Sequence, residues 1–275
     1  MRESSSPCGV RSGRSSLRAF FHLALFAGAI LSTPGARAQS PTLVKDIYPG
    51  ISSTASPVIS VGDVLGVSGG RAYLSSWSNG RRGIAIVDDT PAEPVFLFDG
   101  QPTSVRGADV NGTFFFSATS PEGIWLCSSN GTVAGTVFVR RFSGDGTHPV
   151  RLSRLTKVGN LLFFAADGGG AAPALWRSDG TEAGTTLVKE LPSGAFSSWT
   201  FPTEFVDVGG TLLFSCDGSP GYGLWRSDGT ESGTIQVANL DHPAGLVNAN
   251  GILFFRTSDA AHGSELWKSL SLIHI

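Results

Sequence analysis

The side chains best placed to do chemistry in this sequence are carboxylates set just before glycine. Asp179 opens Asp179-Gly180-Thr181, and Asp228 opens Asp228-Gly229-Thr230, each three residues after a tryptophan (Trp176, Trp225). A loop carboxylate beside exposed carbonyls suits calcium. The same carboxylate can instead accept hydrogen bonds from backbone N–H groups two residues on, while Gly supplies a positive φ and the Thr hydroxyl pins the loop. One carboxylate per turn, with no Asp-x-Asp-x-Asp run, favours loop shape, and calcium at Asp179 and Asp228 stays the weaker alternative. Trp176, Trp225 and Trp267 could stack on sugars or pack between neighbouring elements. Cys127 occupies the same slot in another repeat, and a free Cys is a small buried hydrophobe, so packing is favoured.

Other catalytic patterns fail on context. Gly66-Val67-Ser68-Gly69-Gly70 matches G-x-S-x-G, but a nucleophile elbow needs a helix after the serine, and the strand-like Ala72-Tyr73-Leu74 follows. His148, His242, His262 and His274 are scattered, with no H-x-x-x-H pair for zinc. His148 and His242 precede proline, as connectors do, and Asp145-Gly146-Thr147 repeats the turn triplet out of register. Asn111 and Asn130 begin formal glycosylation sequons. No catalytic residue or cofactor is read from the sequence.

The elements that position these residues are repeated. Leu175-Trp176-Arg177-Ser178-Asp179-Gly180-Thr181-Glu182-Ala183-Gly184-Thr185 returns as residues 224–234, and in weaker form as residues 126–136 with Cys127 and Asn130. Leu266-Trp267-Lys268-Ser269 begins another copy, and Ile84-Ala85-Ile86-Val87-Asp88-Asp89-Thr90 is a worn one. A second block keeps step: Ala72-Tyr73-Leu74, Phe114-Phe115-Phe116, Leu162-Phe163-Phe164, Leu212-Leu213-Phe214 and Leu253-Phe254-Phe255. Repeats of about 40–50 residues point to propellers or helical arrays. Each unit reads as four short strands: an alternating run, a glycine turn, an apolar run too short for a helix, the Trp strand, and a last strand after the Asp-Gly-Thr turn. A strand apolar on both faces is what a blade sandwiched between two others requires.

The predicted fold is therefore all-β, a propeller of about five four-stranded blades, with units near 48–99, 100–142, 143–191, 192–240 and 241–269. Thr42-Leu43-Val44-Lys45-Asp46-Ile47 matches Thr186-Leu187-Val188-Lys189-Glu190-Leu191. It is expected to complete the final blade, so that no long sheet edge is left open. The rival reading starts from the tail 270–275, which breaks the repeat and resembles a translated sequencing adapter: if it is one, the natural protein continues and this chain is an open arc or part of a larger ring.

Residues 1–38 read as a secretory leader: Arg2, Arg11, Arg14 and Arg18, then an apolar run over 19–31, then Ala36-Arg37-Ala38. Thirteen apolar residues are too few to span a bilayer, which takes about 20. Cleavage after Ala38 leaves 15 basic and 21 acidic residues, a mildly acidic chain that excludes a basic nucleic-acid binder. Glycine is 36 of 275 residues, which fits many turns and few helices. Export permits a disulfide, but Cys127 on a third strand and Cys216 on a second strand, two units apart, are not expected to meet.

The copies at 175–185 and 224–234, with Glu265-Leu266-Trp267-Lys268-Ser269, resemble the ELWxxDGT-repeat family of secreted or surface bacterial proteins, often labelled hyalin-like. The resemblance covers about residues 42–269 and is specific in the last three units. Ala85 and Cys127 lack the Trp, and Asp88-Asp89-Thr90 lacks the Gly. It implies an extracellular propeller-like repeat protein and no catalytic residues. The Ser-Asp-Gly-Thr turn also resembles the Asp-box of sialidase propellers, although here the aromatic precedes the Asp.

The leading expectation is a non-enzymatic binding scaffold for an extracellular protein or polysaccharide. Its rival is a sialidase-like or polysaccharide-lyase-like enzyme drawing on non-repeated Arg106, Glu122, Arg151, Arg154, Glu204 or Asp241. A calcium-dependent adhesive module is a third reading.

Overall fold

The computed structural model describes residues 59–78, 81–88, 95–99, 101–102, 106–120, 122–144, 150–167, 173–191, 202–216, 223–259 and 263–269. The leader at 1–38, the segment 42–47, the tail 270–275, and His148, His262 and His274 lie outside them. Every element among the described residues is a strand.

The strands form five antiparallel sheets in chain order. The first holds β1 (Ile59–Ser68), β2 (Arg71–Ser78), β3 (Arg81–Val87) and β4 (Val95–Asp99). The second holds β5 (Gln101–Pro102), β6 (Ala108–Val110), β7 (Thr113–Ser120), β8 (Gly123–Ser129) and β9 (Thr136–Phe142), with β5 and β6 sharing the first-strand position along β7. The third holds β10 (Leu152–Val158), β11 (Leu161–Ala166), β12 (Ala174–Ser178) and β13 (Thr186–Glu190). The fourth holds β14 (Pro202–Val208), β15 (Thr211–Cys216), β16 (Gly223–Ser227) and β17 (Ile235–Ala238), and the fifth β18 (Asp241–Ala249), β19 (Ile252–Asp259) and β20 (Gly263–Ser269).

Each sheet is a meander in which consecutive strands pair, except that β5 and β6 both pair with β7. The first two strands are joined by two-residue turns such as Asn111-Gly112 and Asn250-Gly251, with φ of 55° and 84°, and 54° and 82°. Positive φ at both positions defines a type I′ hairpin, and Asn-Gly is the pair that adopts it most readily.

The core lies between sheets. One apolar cluster joins the first and second sheets (Tyr73, Ile84, Phe114, Phe116), and another the second and third (Phe115, Leu126, Phe142, Phe164). Two more join the third to the fourth (Phe163, Leu175, Phe214, Trp225) and the fourth to the fifth (Leu213, Leu224, Leu253, Phe255). Side chains alternate faces along a strand. Phe114 and Phe116 therefore face the preceding sheet and Phe115 the following one, which is why this strand is apolar throughout. First strands neighbour first strands along the series β1, β6, β10, β14, β18. Face-packed meanders with their first strands innermost are propeller blades.

Among the described residues, no apolar cluster joins the first sheet to the fifth. Leu266 is 76% exposed, whereas its counterparts Leu175 and Leu224 are buried under the next sheet. β20 has no fourth strand beside it among the described residues.

Candidate functional site

The Asp-Gly-Thr turn joins the third and fourth strands, and its hydrogen bonds assign the Ser, the Asp and both Thr of the motif a task. Asp179 Oδ1 accepts from the Thr181 backbone N–H at 2.9 Å and from the Thr181 hydroxyl at 2.7 Å. The Thr181 hydroxyl oxygen in turn accepts from the Gly184 N–H at 2.9 Å. Thr185 Oγ1 donates to the Thr181 carbonyl at 2.6 Å and lies 2.7 Å from Ser178 Oγ, which accepts from the Gly180 N–H at 3.0 Å. Asp228, Thr230, Gly233, Thr234 and Ser227 repeat these bonds within about 0.1 Å. Asn130 takes the acceptor role in the second sheet, at 3.1 and 2.8 Å from Thr132.

Bonds from Thr181 to Asp179, backbone first, and from Thr230 to Asp228, side chain first, hold both carboxyls below their ordinary range. The second motif glycine is fixed by contact: a Cβ at Gly184 would lie 2.1 Å from Asp179 Oδ1, and one at Gly233 2.0 Å from Asp228 Oδ1. Among the described residues, no group of three or more His, Cys, Asp or Glu could hold a metal ion.

The turns also join the blades. Gly229 sits so close to the third sheet that a Cβ would come within 3.1 Å of Phe163 and 3.3 Å of Arg177. Lys189 on β13 donates to the Thr234 carbonyl at 2.9 Å and the Glu231 carbonyl at 3.3 Å, and Arg140 on β9 donates to the Thr185 carbonyl at 3.2 Å. A cation on each of these fourth strands thus caps the turn of the next sheet.

The motif tryptophans sit in three environments. Trp225 is 6% exposed within the cluster between the third and fourth sheets. Trp267 is 41% exposed on β20. Trp176 is half-buried between the second and third sheets, with Phe142 edge-on at 5.1 Å and the Arg140 guanidinium 5.0 Å from its ring centre. In the second sheet the ring moves by two residues. Trp125 pairs with Ala118 just as Ala174 pairs with Ala166, and it packs on Phe138 at 4.9 Å. Large and small have exchanged places, from Trp125 with Cys127 to Ala174 with Trp176. Cys127 is buried, and burial pushes its thiol pKa up; neither Cys127 nor Cys216 is in a disulfide.

A cavity of about 270 Å³ opens beside Trp176, between the second and third sheets. Arg140, Arg141 and Phe142 line one side, and Ala166, Asp167, Ala174, Trp176, Leu187 and Glu190 the other. The buried Asp167 accepts from the Arg151 backbone N–H at 2.7 Å and from Arg151 Nε at 2.8 Å. Arg141 lies 3.7 Å from Glu122. The cavity thus offers an indole, two guanidiniums and two carboxylates within one recess. Nothing in the Trp-Asp-Gly-Thr motif announces it, because Arg141 and Asp167 fall outside the copied blocks and Glu190 lies in a block matched by residues 42–47.

The remaining sequence candidates are dispersed. Arg154 on β10 and Glu204 on β14 each lie four residues before the end of their strand, and Arg106 lies the same distance before the end of β6, just outside it. Arg154 has a φ of 63° there, while Glu204 accepts from the Gly245 and Leu246 N–H groups at 2.9 and 2.6 Å. Asp241 lies 3.5 Å from His242 at the start of β18. Ser68 ends β1, runs straight into a hairpin, and donates to Asp109.

No protein-family model and no curated protein matches the chain. Solved structures do. A puromycin-hydrolysing peptidase of Mycobacterium tuberculosis aligns with a TM-score of 0.50 at 12% identity, over 76% of this chain and 36% of that one. TolB from Acinetobacter baumannii aligns at 0.43 and 14% identity, over 72% and 48%, and a nidogen/laminin complex at 0.40 and 12%, over 69% and 68%. The chain thus spans from about a third to two thirds of these proteins. The likeness is one of fold: this chain has a β-propeller architecture.

Proposed function

We propose that this chain is an exported, non-catalytic binding scaffold that engages a polysaccharide or protein outside the cell, and that it belongs with the ELWxxDGT-repeat proteins. The observation that carries the reading is how the motif is used. Asp, Ser, both Thr and both Gly of each turn are consumed in shaping the turn and seating it on the preceding blade. That leaves recognition to positions where the repeats differ, and the cavity beside Trp176 is such a position. Function on such a scaffold lives in a grafted site rather than in the fold.

The test has two readouts on the full chain. Retention on immobilised polysaccharides, without release of reducing sugar from the same panel, is the expected result. Reducing-sugar release would overturn the non-catalytic reading, and failure to be retained on any polysaccharide or extracellular protein fraction would overturn the scaffold reading. Recovery of the chain in the culture medium with residues 1–38 removed is expected, and its retention in the cytoplasm would overturn export.

A further inference from the structure

We infer that the cavity between β9 and β12 is a subsite for one neutral pyranose ring of a glycan; this rests on the scaffold reading and gives it a ligand class. The recess measures about 270 Å³, just under the roughly 300–1,000 Å³ of drug-sized small-molecule sites. That suits a single ring better than a peptide segment. Its charges cancel, with Arg140 and Arg141 against Asp167 and Glu190, so neither an anion nor a cation is preferred.

Its polar groups come as donors and acceptors side by side, which matches hydroxyls, each of them both donor and acceptor. Asp167 is buried and held rigid by Arg151, one bond to each carboxylate oxygen, so the exposed Glu190 carboxylate and Arg141 guanidinium are the groups that meet hydroxyls. Leu187, 45% exposed, and the part of the half-buried Trp176 indole not covered by Arg140, Phe142 and Phe164 supply apolar surface for the C–H face of a ring.

The neighbouring interface shows what closes such a recess. Between the third and fourth sheets, Cys216 replaces Ala166 and Gln236 replaces Leu187 at equivalent registers. The Gln236 amide nitrogen lies 2.9 Å from where a Cβ on Gly223 would sit, and Trp225 is buried. The same motif therefore makes a filled joint there and an open one beside Trp176.

Isothermal titration calorimetry on the full chain tests this, with maltohexaose, cellohexaose and mannohexaose as neutral probes and a hyaluronan hexasaccharide as the charged one. At least one neutral probe is expected to bind. Arg141→Gln and Glu190→Gln, both at exposed positions, are each expected to weaken it at least tenfold, and Ala174→Leu to abolish it by filling the recess. Leu266→Ala, on the far sheet, is expected to leave it unchanged. Binding of hyaluronan alone, neutral binding that survives the cavity substitutions, or no neutral binding would overturn the inference. Retention on whole polysaccharide that is indifferent to the cavity substitutions would overturn this site while leaving the scaffold reading standing.

Discussion

Gly184 offers a test in which one substitution should change sign with its background. An alanine Cβ there would lie 2.1 Å from Asp179 Oδ1 and 2.2 Å from its Cγ. The carboxylate must then swing out of the loop and surrender its bonds from the Thr181 N–H and hydroxyl, at 2.9 and 2.7 Å. Two exposed, charge-assisted bonds are worth about 1–2 kcal/mol together after solvent screening. With residual crowding, Gly184→Ala should cost about 1–3 kcal/mol. In an Asp179→Ala background the obstacle is gone. Gly184 does not sit at positive φ, so alanine there should be neutral or stabilise by up to about 1 kcal/mol through the unfolded chain. Urea titrations of the four proteins read the difference from their midpoints. The predicted coupling is about 2 kcal/mol. If Gly184→Ala costs the same with and without the Asp179 carboxylate, to within about 0.5 kcal/mol, the carboxylate does not occupy the space assigned to it.

Further predictions follow from the same geometry. The Asp179 and Asp228 carboxyls sit below their unfolded value of about 3.9, so the stability they confer is complete above that value and is lost as pH falls through the folded pKa. Asp179→Asn with Asp228→Asn keeps the Oδ1 acceptor, and its melting temperature should fall less steeply between pH 5 and 3; an unchanged slope would refute the assignment. Cys127→Trp should destabilise by about 1–3 kcal/mol through overpacking, and adding Trp125→Ala should restore part of that loss, measured by urea midpoint; a double variant no better than the single would refute the size exchange. Lys189→Ala should cost about 1 kcal/mol by removing the cap on Thr234 and Glu231; an unchanged midpoint would show that the cap contributes nothing.

Much of the fold was legible because the physics of a blade writes itself onto sequence at short range. Phe114-Phe115-Phe116 must be apolar on both faces because sheets cover both, and Asn111-Gly112 and Asn250-Gly251 mark hairpins through backbone preference alone. The Asp-Gly-Thr turn was readable for the same reason, since Asp179 bonds only to residues within its own loop. Three things were not readable. The exchange of Trp125 and Cys127 for Ala174 and Trp176 depends on which residues share a face two positions apart, a signal present in the aligned repeats but hidden when the Trp column is read alone. The cavity depends on pairing across a joint: Arg141, Asp167 and Glu190 come from two sheets, and only blade-on-blade packing brings them together. Caps such as Lys189 on Thr234 were hidden too, because the acceptor is a backbone carbonyl and leaves no mark on residue identity.

The repeated turn residues are proposed to build the blades and the unrepeated ones to bind. Asp179→Ala combined with Asp228→Ala tests this directly, with urea midpoint and retention on immobilised polysaccharide measured on the same preparation. The expected result is a lowered midpoint with retention unchanged. Retention lost while the midpoint stays where it was would place the Asp-Gly-Thr turns in the binding surface and contradict the account.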